Sequence, residues 1–167
     1  MALRILVLDD EPIVCKRLKP AFQKSGYEVE TFTDSAAALQ RMAEAGFDVI
    51  ITDLKMEGAD GFQVLERARE LLPQARIVVI TGFATLETAK ESFRKGAFDF
   101  VAKPFKLSGI IECVRRLEES MWVRCIISAI SRSTPRGVMS SFSHSSRRLA
   151  GTRERKLTAL RLLPKSL

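Results

Sequence analysis

The sequence predicts an α/β fold: an open parallel β-sheet of five strands with helices on both faces. Over the first 120 residues, five short, mostly apolar segments alternate with five amphipathic helical segments. Alternation of this kind is typical of a parallel sheet whose crossover connections are helices. Three of the apolar segments are also continuous, as expected of strands that are buried on both faces.

The predicted strands are short and rich in β-branched residues. The first, third and fourth are nearly continuous in Val, Ile and Leu, whereas the second alternates, as an edge strand does. The five predicted strands are Arg4–Leu8, Glu28–Phe32, Asp48–Thr52, Arg76–Ile80 and Phe98–Val101.

Each predicted helix carries an apolar stripe at helical spacing. Pro12 suits the first turn of the first helix, and Asp60 suits the N-cap of the third. The five stripes are Val14, Leu18 and Ala21; Leu39, Met42 and Ala43; Phe62, Leu65 and Leu72; Leu86, Ala89 and Phe93; and Ile110, Val114 and Leu117.

Size and composition indicate a globular protein of one domain, or of one domain with an appendage. The chain has 167 residues, of which 46% are hydrophobic and 28% are charged, as in typical globular proteins. No apolar run approaches the roughly 18 residues that span a bilayer. The opening MALRILVLDD is too short and too soon acidic for a signal peptide. We therefore expect a cytoplasmic location and no membrane partner.

The charge distribution divides the chain near residue 120. Residues 1–120 hold 17 Lys and Arg against 19 Asp and Glu, and residues 121–167 hold ten against one, so the net charge of +7 comes from the tail. Such an asymmetry is typical of a boundary. We predict a folded domain at 1–120 and a basic Ser/Arg-rich tail at 121–167. The tail composition favours an extension of the fifth helix followed by disorder.

Cysteine and histidine usage argues against a zinc site, a disulfide framework and a histidine-dependent catalytic pair. Cys15, Cys113 and Cys125 form no CxxC pair, which argues against a zinc site and against a disulfide framework. His144 is the only histidine. A Cys–His or His–Asp catalytic pair is therefore excluded from the first 120 residues.

Polar and charged side chains follow four of the predicted strands. The acidic run Asp9–Glu11 follows the first strand, Asp53 the third, Thr81 the fourth and Lys103 the fifth. Sites in open parallel sheets lie beyond the carboxyl ends of the strands, so we expect these side chains to converge. Clustered carboxylates repel one another, and Mg²⁺ is a natural neutralising ion. Mg²⁺ and Lys103 on either side of a carboxylate would form a clamp for a phosphoryl group.

Each of these residues also has a structural interpretation when it is taken alone. Asp9 and Asp10 could cap the first helix, Thr81 is typical of a turn, Phe100 of a core, and Lys103 of a solvated surface. Only their joint placement at the strand ends favours a functional site.

Five segments together resemble the receiver domain of two-component response regulators. They are LVLDDE, IITDLKM, GADGF, VVITG and GAFDFVAKPF, in the order and at the spacing of the family. The resemblance covers residues 1 to about 120. It implies a flavodoxin-like (βα)5 fold with strand order 2-1-3-4-5 and a cis peptide bond between Lys103 and Pro104. It also implies a phosphorylation-dependent signalling switch, not an enzyme that turns over a metabolite.

The resemblance assigns the chemistry to particular residues. Asp53 would accept a phosphoryl group from the phosphohistidine of a sensor histidine kinase. Asp10, Asp53 and the backbone carbonyl of Lys55 would bind Mg²⁺ directly, and Asp9 would assist through water.

The resemblance also implies how the signal spreads. Lys103 would pair with the phosphoryl oxygens, Thr81 would turn its hydroxyl toward them, and Phe100 would follow into the vacated space. The phosphoryl group then binds one loop arrangement better than the other and shifts the population. We expect the response on the fourth helix, fifth strand and fifth helix, where a downstream protein or a second copy of the chain would bind.

Three positions bear on the behaviour of this site. Glu57 stands where the family usually has proline, which leaves that loop freer and adds an acid. Lys55 and Phe83 lie two residues beyond Asp53 and Thr81, at positions that in the family flank the route of the hydrolytic water. The bulk of Phe83 predicts slow autodephosphorylation.

Alternatives for the tail and for the whole chain stay open. The tail is a flexible segment without its own function, an interaction segment that dimerises or touches nucleic acid, or a remnant of a DNA-binding output domain. For the third, TRERKLTALRLL faintly resembles the opening of a helix-turn-helix module, without a recognition helix after it. For the whole chain, the alternatives are a DNA-binding regulator that acts through the tail and a haloacid-dehalogenase-type phosphatase with Asp9 as nucleophile and Glu11 as second acid.

Overall fold

The computed structural model describes the backbone of residues 2–56 and 59–133, and the side chains of these residues except 59, 124–126 and 128–133. The fold and the site below belong to the unit Met1–Val123. The strands are β1 (Arg4–Leu8), β2 (Glu28–Phe32), β3 (Val49–Asp53), β4 (Lys55–Met56), β5 (Ala59–Asp60), β6 (Arg76–Thr81) and β7 (Asp99–Ala102). The helices are α1 (Pro12–Lys24), α2 (Ser35–Glu44), α3 (Gly61–Leu71), α4 (Leu86–Arg94) and α5 (Leu107–Ser133).

Five of the strands form one parallel sheet in the order β2-β1-β3-β6-β7. When these five are counted alone along the chain, the order is 2-1-3-4-5, so the predicted topology is confirmed. The remaining two, β4 and β5, pair with each other in an antiparallel ladder of two residues each. The sequence did not predict this pair, because two-residue strands are too short to show a period.

The core lies in two layers, one on each face of the sheet, as the continuous apolar strands predicted. One layer packs strand side chains against α1 and α5: Ile5, Val7, Val49, Ile51, Val78 and Ile80 with Leu18, Phe22, Ile110, Val114 and Leu117. The other packs the alternate strand residues against α2 and α3: Leu6, Leu8, Ile50, Ile77 and Val79 with Ala38, Met42, Val64, Leu65 and Ala68. Burying each large apolar side chain stabilises the fold by about 1.5–3 kcal/mol.

Helix α4 exposes the large side chains of its predicted apolar stripe. Leu86 is 64% exposed and Phe93 is 49% exposed, and Ser92 is the one buried residue of this helix. The helix itself is well specified, because Thr85 and Thr88 form a reciprocal capping box at its N-terminus. Periodicity identified the helix correctly, but in the part of the chain that the structure describes Leu86 and Phe93 stay largely exposed.

Asp60 caps α3 as predicted, since its Oδ1 accepts a hydrogen bond from the Phe62 N–H at 2.9 Å.

Among the described residues, no helix has the length and apolarity to cross a membrane. Helix α5 continues to Ser133. The predictions for Glu57 and for the tail from residue 134 onward concern residues outside the described ranges.

Candidate functional site

Three carboxylates meet where β1 and β3 end. Leu8 pairs with Thr52 in the parallel ladder, so the next residues, Asp9 and Asp53, emerge side by side. One carboxylate oxygen from each of Asp9, Asp10 and Asp53 lies within 4.8 Å of the other two. Asp9 is fully buried and Asp53 is 4% exposed. The convergence that the sequence predicted is therefore present.

The ammonium group of Lys103 lies between these acids. Its Nζ is 2.7 Å from Asp53 Oδ2, 2.8 Å from Asp9 Oδ2 and 2.9 Å from Glu11 Oε1. The backbone N–H of Lys103 donates to the carbonyl of Thr81 at 2.8 Å, which fixes the lysine to the end of β6. Through its contact with Glu11, Lys103 links an exposed carboxylate to the buried carboxylates of Asp9 and Asp53.

The peptide bond between Lys103 and Pro104 is cis, as the family resemblance implied.

Burial and charge act against each other at this site. Burial raises the pKa of Asp9, and the nearby Lys103 ammonium and the Glu11 N–H oppose this only in part. Burial alone would lower the pKa of Lys103, but its hydrogen bonds with Asp53, Asp9 and Glu11 outweigh burial and raise the pKa. The lysine therefore carries its charge at neutral pH, and one cation faces several carboxylates. The excess negative charge suits a further cation.

Asp53 and Thr81 are each held by a backbone amide two residues further along the chain. Asp53 Oδ1 accepts from the Lys55 N–H at 3.0 Å, and Thr81 Oγ1 accepts from the Phe83 N–H at 3.2 Å. Asp53 pairs with Ile80 across β3 and β6, so Thr81 follows directly beyond the partner of Asp53. Thr81 is fully buried.

Phe100 lies in β7, opposite Val79 of β6. Its side chain is half-buried and packs against the core layer that contains α2 and α3. The structure thus places Phe100, the side chain predicted to follow the Thr81 hydroxyl, on the strand that leads to Lys103.

The structural alternatives for individual residues fit less well than the joint site. The N-cap position of α1 is Glu11, without a side-chain cap bond. Asp9 Oδ1 instead accepts from the Glu11 N–H at 3.0 Å. Lys103 is not a solvated surface lysine, because only 13% of its side chain is exposed.

Gly61 is a site residue to which the sequence analysis assigned no role. Its N–H donates to the Leu54 carbonyl at 3.0 Å, and a Cβ added there would lie 2.3 Å from Leu54 Cα and 2.6 Å from the Asp53 carbonyl oxygen. Only glycine allows the start of α3 to lie against the backbone of Asp53 and Leu54. The available signal was the glycine directly after the N-cap Asp60, in the segment GADGF.

The donor set fits a hard divalent cation. Three carboxylates with oxygens within 4.8 Å of one another offer the ligand type that Mg²⁺ prefers, with room for water and phosphoryl oxygens as its remaining ligands.

Comparison with known proteins decides the family. Residues 5–115 match the response regulator receiver domain. The chain belongs to this family. It is 36% identical over 113 residues to the regulatory protein AtoC of Escherichia coli, covering 68% of this chain and 24% of AtoC. It is 32% identical to the response regulator receiver protein CpdR of Brucella abortus, covering 68% of this chain and 95% of CpdR.

Solved structures agree with this assignment. The CheY-like receiver domain protein of Methanospirillum hungatei has a TM-score of 0.68 and 28% identity, covering 71% of this chain and 96% of that one. Unlike CpdR, several of the matched regulators are much longer, and this chain spans only about a quarter to a third of their length, AtoC among them.

Membership of the family establishes the general role. A receiver domain is the regulatory phosphoacceptor of a two-component system, generally binds Mg²⁺ at an acidic pocket, and interacts with histidine kinases and effector domains. This assignment favours the signalling switch over the phosphatase with Asp9 as nucleophile.

Proposed function

We propose that Asp53 is the phosphoacceptor of this receiver domain and that its phosphorylation changes partner binding at a distant surface. The observation that carries the proposal is the position of its carboxylate. Asp53 ends the central strand β3, contacts Lys103 at 2.7 Å, and lies among carboxylates that can hold a metal ion.

In the proposed transfer, an oxygen of Asp53 attacks the phosphorus of a phosphohistidine on a sensor kinase. The new P–O bond forms as the P–N bond breaks, and the imidazole leaves with the bonding electron pair. The reaction needs in-line positioning and charge neutralisation more than covalent assistance from the protein. Lys103 supplies a positive charge that is already within hydrogen-bond distance of Asp53.

Asp10, Asp53 and the Lys55 carbonyl would hold the metal ion, with Asp9 acting through water. When bound, Mg²⁺ supplies positive charge that neutralises the phosphoryl oxygens. Before phosphorylation, the site favours a metal ion because several carboxylates lie close together around Lys103.

The phosphoryl group replaces one negative charge by roughly two and adds strong acceptor oxygens. Lys103 and the Thr81 hydroxyl would pair with these oxygens. The Thr81 hydroxyl accepts a hydrogen bond from the Phe83 N–H at 3.2 Å. Turning this hydroxyl toward Asp53 would break that bond, and the loop that carries Phe83 would adjust. Phe100, half-buried on the neighbouring strand, would respond to that adjustment.

The affected surface would be α4, β7 and α5. Leu86 and Phe93 are seven residues apart, so they lie on the same side of α4, and both are exposed. Exposed apolar side chains grouped on one helix are typical of an interaction surface. A downstream protein or a second copy of the chain would bind there.

A mass measurement with a matched control tests the proposal. The protein is incubated with acetyl phosphate and Mg²⁺, and the intact mass is recorded. We expect one phosphoryl group on the wild type, none on Asp53→Asn, and none without Mg²⁺. Asp60→Asn is the control, because asparagine caps a helix as well as aspartate does and Asp60 lies outside the carboxylate group. Labelling of Asp53→Asn would overturn the assignment of the acceptor.

The basic tail supports a second candidate, a DNA-binding regulator. Residues 121–167 carry ten Lys and Arg against one acid, and binding through such charges is strongly salt-dependent. A gel shift that weakens with salt and disappears when residues 121–167 are deleted would support this function. A shift that survives the deletion would contradict it.

A further inference from the structure

Thr52 is a buried polar residue among apolar neighbours. It is fully buried, and its partners in the two adjacent strands are Leu8 and Val79. Threonine suits a β-strand, but valine has nearly the same shape and carries no polar group. Because burying a hydroxyl is unfavourable unless it forms a hydrogen bond, packing alone does not explain the threonine.

The Thr52 hydroxyl has one hydrogen-bond partner among the residues that the structure describes. Its Oγ1 donates to the backbone carbonyl of Asp53 at 3.0 Å. This carbonyl belongs to the peptide group between Asp53 and Leu54, the first one after the acceptor. The hydroxyl therefore holds the backbone at the point where the chain leaves β3.

The next peptide group, between Leu54 and Lys55, is held at both ends. Its carbonyl, on Leu54, accepts a hydrogen bond from the Gly61 N–H at 3.0 Å. Its N–H, on Lys55, donates to Asp53 Oδ1 at 3.0 Å. Two successive peptide groups thus connect the Thr52 hydroxyl to the acceptor carboxylate. If the first group rotates, the Lys55 N–H changes direction and the carboxylate loses its support.

We propose that Thr52 is a positioning residue of the phosphorylation site, because its hydroxyl fixes the backbone that directs the Lys55 amide toward the Asp53 carboxylate. The inference rests on the proposed function of Asp53. Thr52 acts through Asp53 and Lys55, the residues proposed to hold Mg²⁺. Without the hydroxyl these ligands are less well oriented, so Mg²⁺ binds more weakly and phosphoryl transfer is slower.

Substitutions at position 52 separate the hydroxyl from the methyl group. Thr52→Val removes the hydroxyl and keeps a branched side chain, Thr52→Ser keeps the hydroxyl and removes the methyl group, and Thr52→Ala removes both. The hydroxyl is therefore tested twice, by comparing Thr52→Val with the wild type and Thr52→Ala with Thr52→Ser. Thr31→Val is the control, because Thr31 lies in β2 and its hydroxyl forms no hydrogen bond in the part of the chain that the structure describes.

We expect each removal of the hydroxyl to weaken Mg²⁺ binding by about two- to tenfold, the worth of one hydrogen bond. Mg²⁺ binding is measured on the unphosphorylated full chain from backbone amide NMR signals during a titration. Phosphorylation by acetyl phosphate, followed by intact mass, should slow by a similar factor. Thr52→Ser should match the wild type in both measurements, although the lost methyl group lowers its urea midpoint. A purely structural role predicts the reverse, with Thr52→Val close to the wild type and Thr52→Ser impaired.

Amide hydrogen exchange at Lys55 adds a readout that needs neither a metal ion nor a phosphoryl group. We expect faster exchange in Thr52→Val than in the wild type, and faster exchange in Thr52→Ala than in Thr52→Ser. If Thr52→Val does not fold, the second pair makes the same comparison. Unchanged exchange after loss of the hydroxyl, or Mg²⁺ binding that follows the methyl group, would overturn the role of Thr52. A wild type that takes no phosphoryl group refutes the proposed function instead, and the exchange at Lys55 still decides the role of Thr52.

Discussion

Replacing Gly61 by alanine tests how closely the backbone of Asp53 and Leu54 depends on the start of α3. The added Cβ would lie 2.3 Å from Leu54 Cα, 2.4 Å from Leu54 O and 2.6 Å from Asp53 O. Carbon atoms pack at about 3.5–4.0 Å, so the backbone must move by roughly 1 Å. All three contacts are backbone atoms, which cannot rotate away as a flexible side chain can.

The expected loss of stability follows from these contacts. Overpacking of this kind costs about 1–3 kcal/mol. The hydrogen bond from the Gly61 N–H to the Leu54 carbonyl, 3.0 Å long, would lengthen or break, at about 1 kcal/mol. We therefore expect Gly61→Ala to lower the free energy of unfolding by about 2–4 kcal/mol. A domain of ordinary stability, about 5–15 kcal/mol, would remain folded.

Urea unfolding followed by circular dichroism measures this difference, with two glycines as controls. An alanine Cβ at Gly46 or Gly109 meets no atom within 4 Å. We expect Gly46→Ala to stay within about 0.5 kcal/mol of the wild type, and Gly109→Ala, inside α5, to be neutral or more stable by up to about 1 kcal/mol.

Gly61→Ala should also be phosphorylated more slowly by acetyl phosphate, because the Asp53 carbonyl must move. A Gly61→Ala protein as stable as Gly46→Ala would refute the reasoning.

Three further predictions concern charge and exposure. Asp9→Asn should stabilise the metal-free protein at neutral pH, because the net effect of its surroundings is to disfavour the charged carboxylate. Burial raises the folded-state pKa of Asp9, so protonation of Asp9 stabilises the wild type. The stability gained by Asp9→Asn should therefore shrink as the pH falls through the folded-state pKa toward the pKa of the unfolded chain. A gain that grows in acid would contradict this. Tyr27 donates to Glu118 Oε2 at 3.2 Å, and burial with the nearby Glu118 raises its pKa to about 12. The wild type should therefore lose stability relative to Tyr27→Phe as the pH rises from about 10 to about 12, measured as urea midpoints; parallel curves would refute the shift. Serine at both Leu86 and Phe93 should change the free energy of unfolding by less than about 0.5 kcal/mol, because both side chains are exposed; a large loss of stability would mean that these side chains are covered. If the partner at this surface is a second copy of the chain, the same double substitution should reduce self-association of the phosphorylated protein in sedimentation.

Most of the sheet and the group of chemically active residues could be predicted from the sequence. Continuous runs such as Arg76–Ile80 indicate buried strands, because a parallel strand has apolar neighbours on both faces. The joint position of Asp53, Thr81 and Lys103 at the strand ends followed from the same alternation. Parallel strands in one sheet end at one edge, so local patterns were sufficient to bring these residues together.

Contacts between loops could not be predicted in this way. The approach of Gly61 to Leu54, the pairing of Lys55 with Phe83 and the contact of Glu11 with Lys103 all depend on distances of a few ångströms between separate segments. Periodicity describes one segment at a time. It carries no information about which side chain of another loop lies opposite.

Helix α4 shows the limit most clearly. The sequence determined that residues near 86–94 form an amphipathic helix, because an apolar side chain at every third or fourth position gives any helix an apolar face. It could not determine whether that face is covered. Burial is a property of the assembled structure, since it depends on what the rest of the chain brings against the helix. Here the assembled domain covers Ser92 and leaves Leu86 and Phe93 exposed. The sequence by itself therefore determined the strands, the helices and the edge where the acids meet. The tertiary structure alone decided how closely the loops approach Asp53 and which surface stays open to a partner.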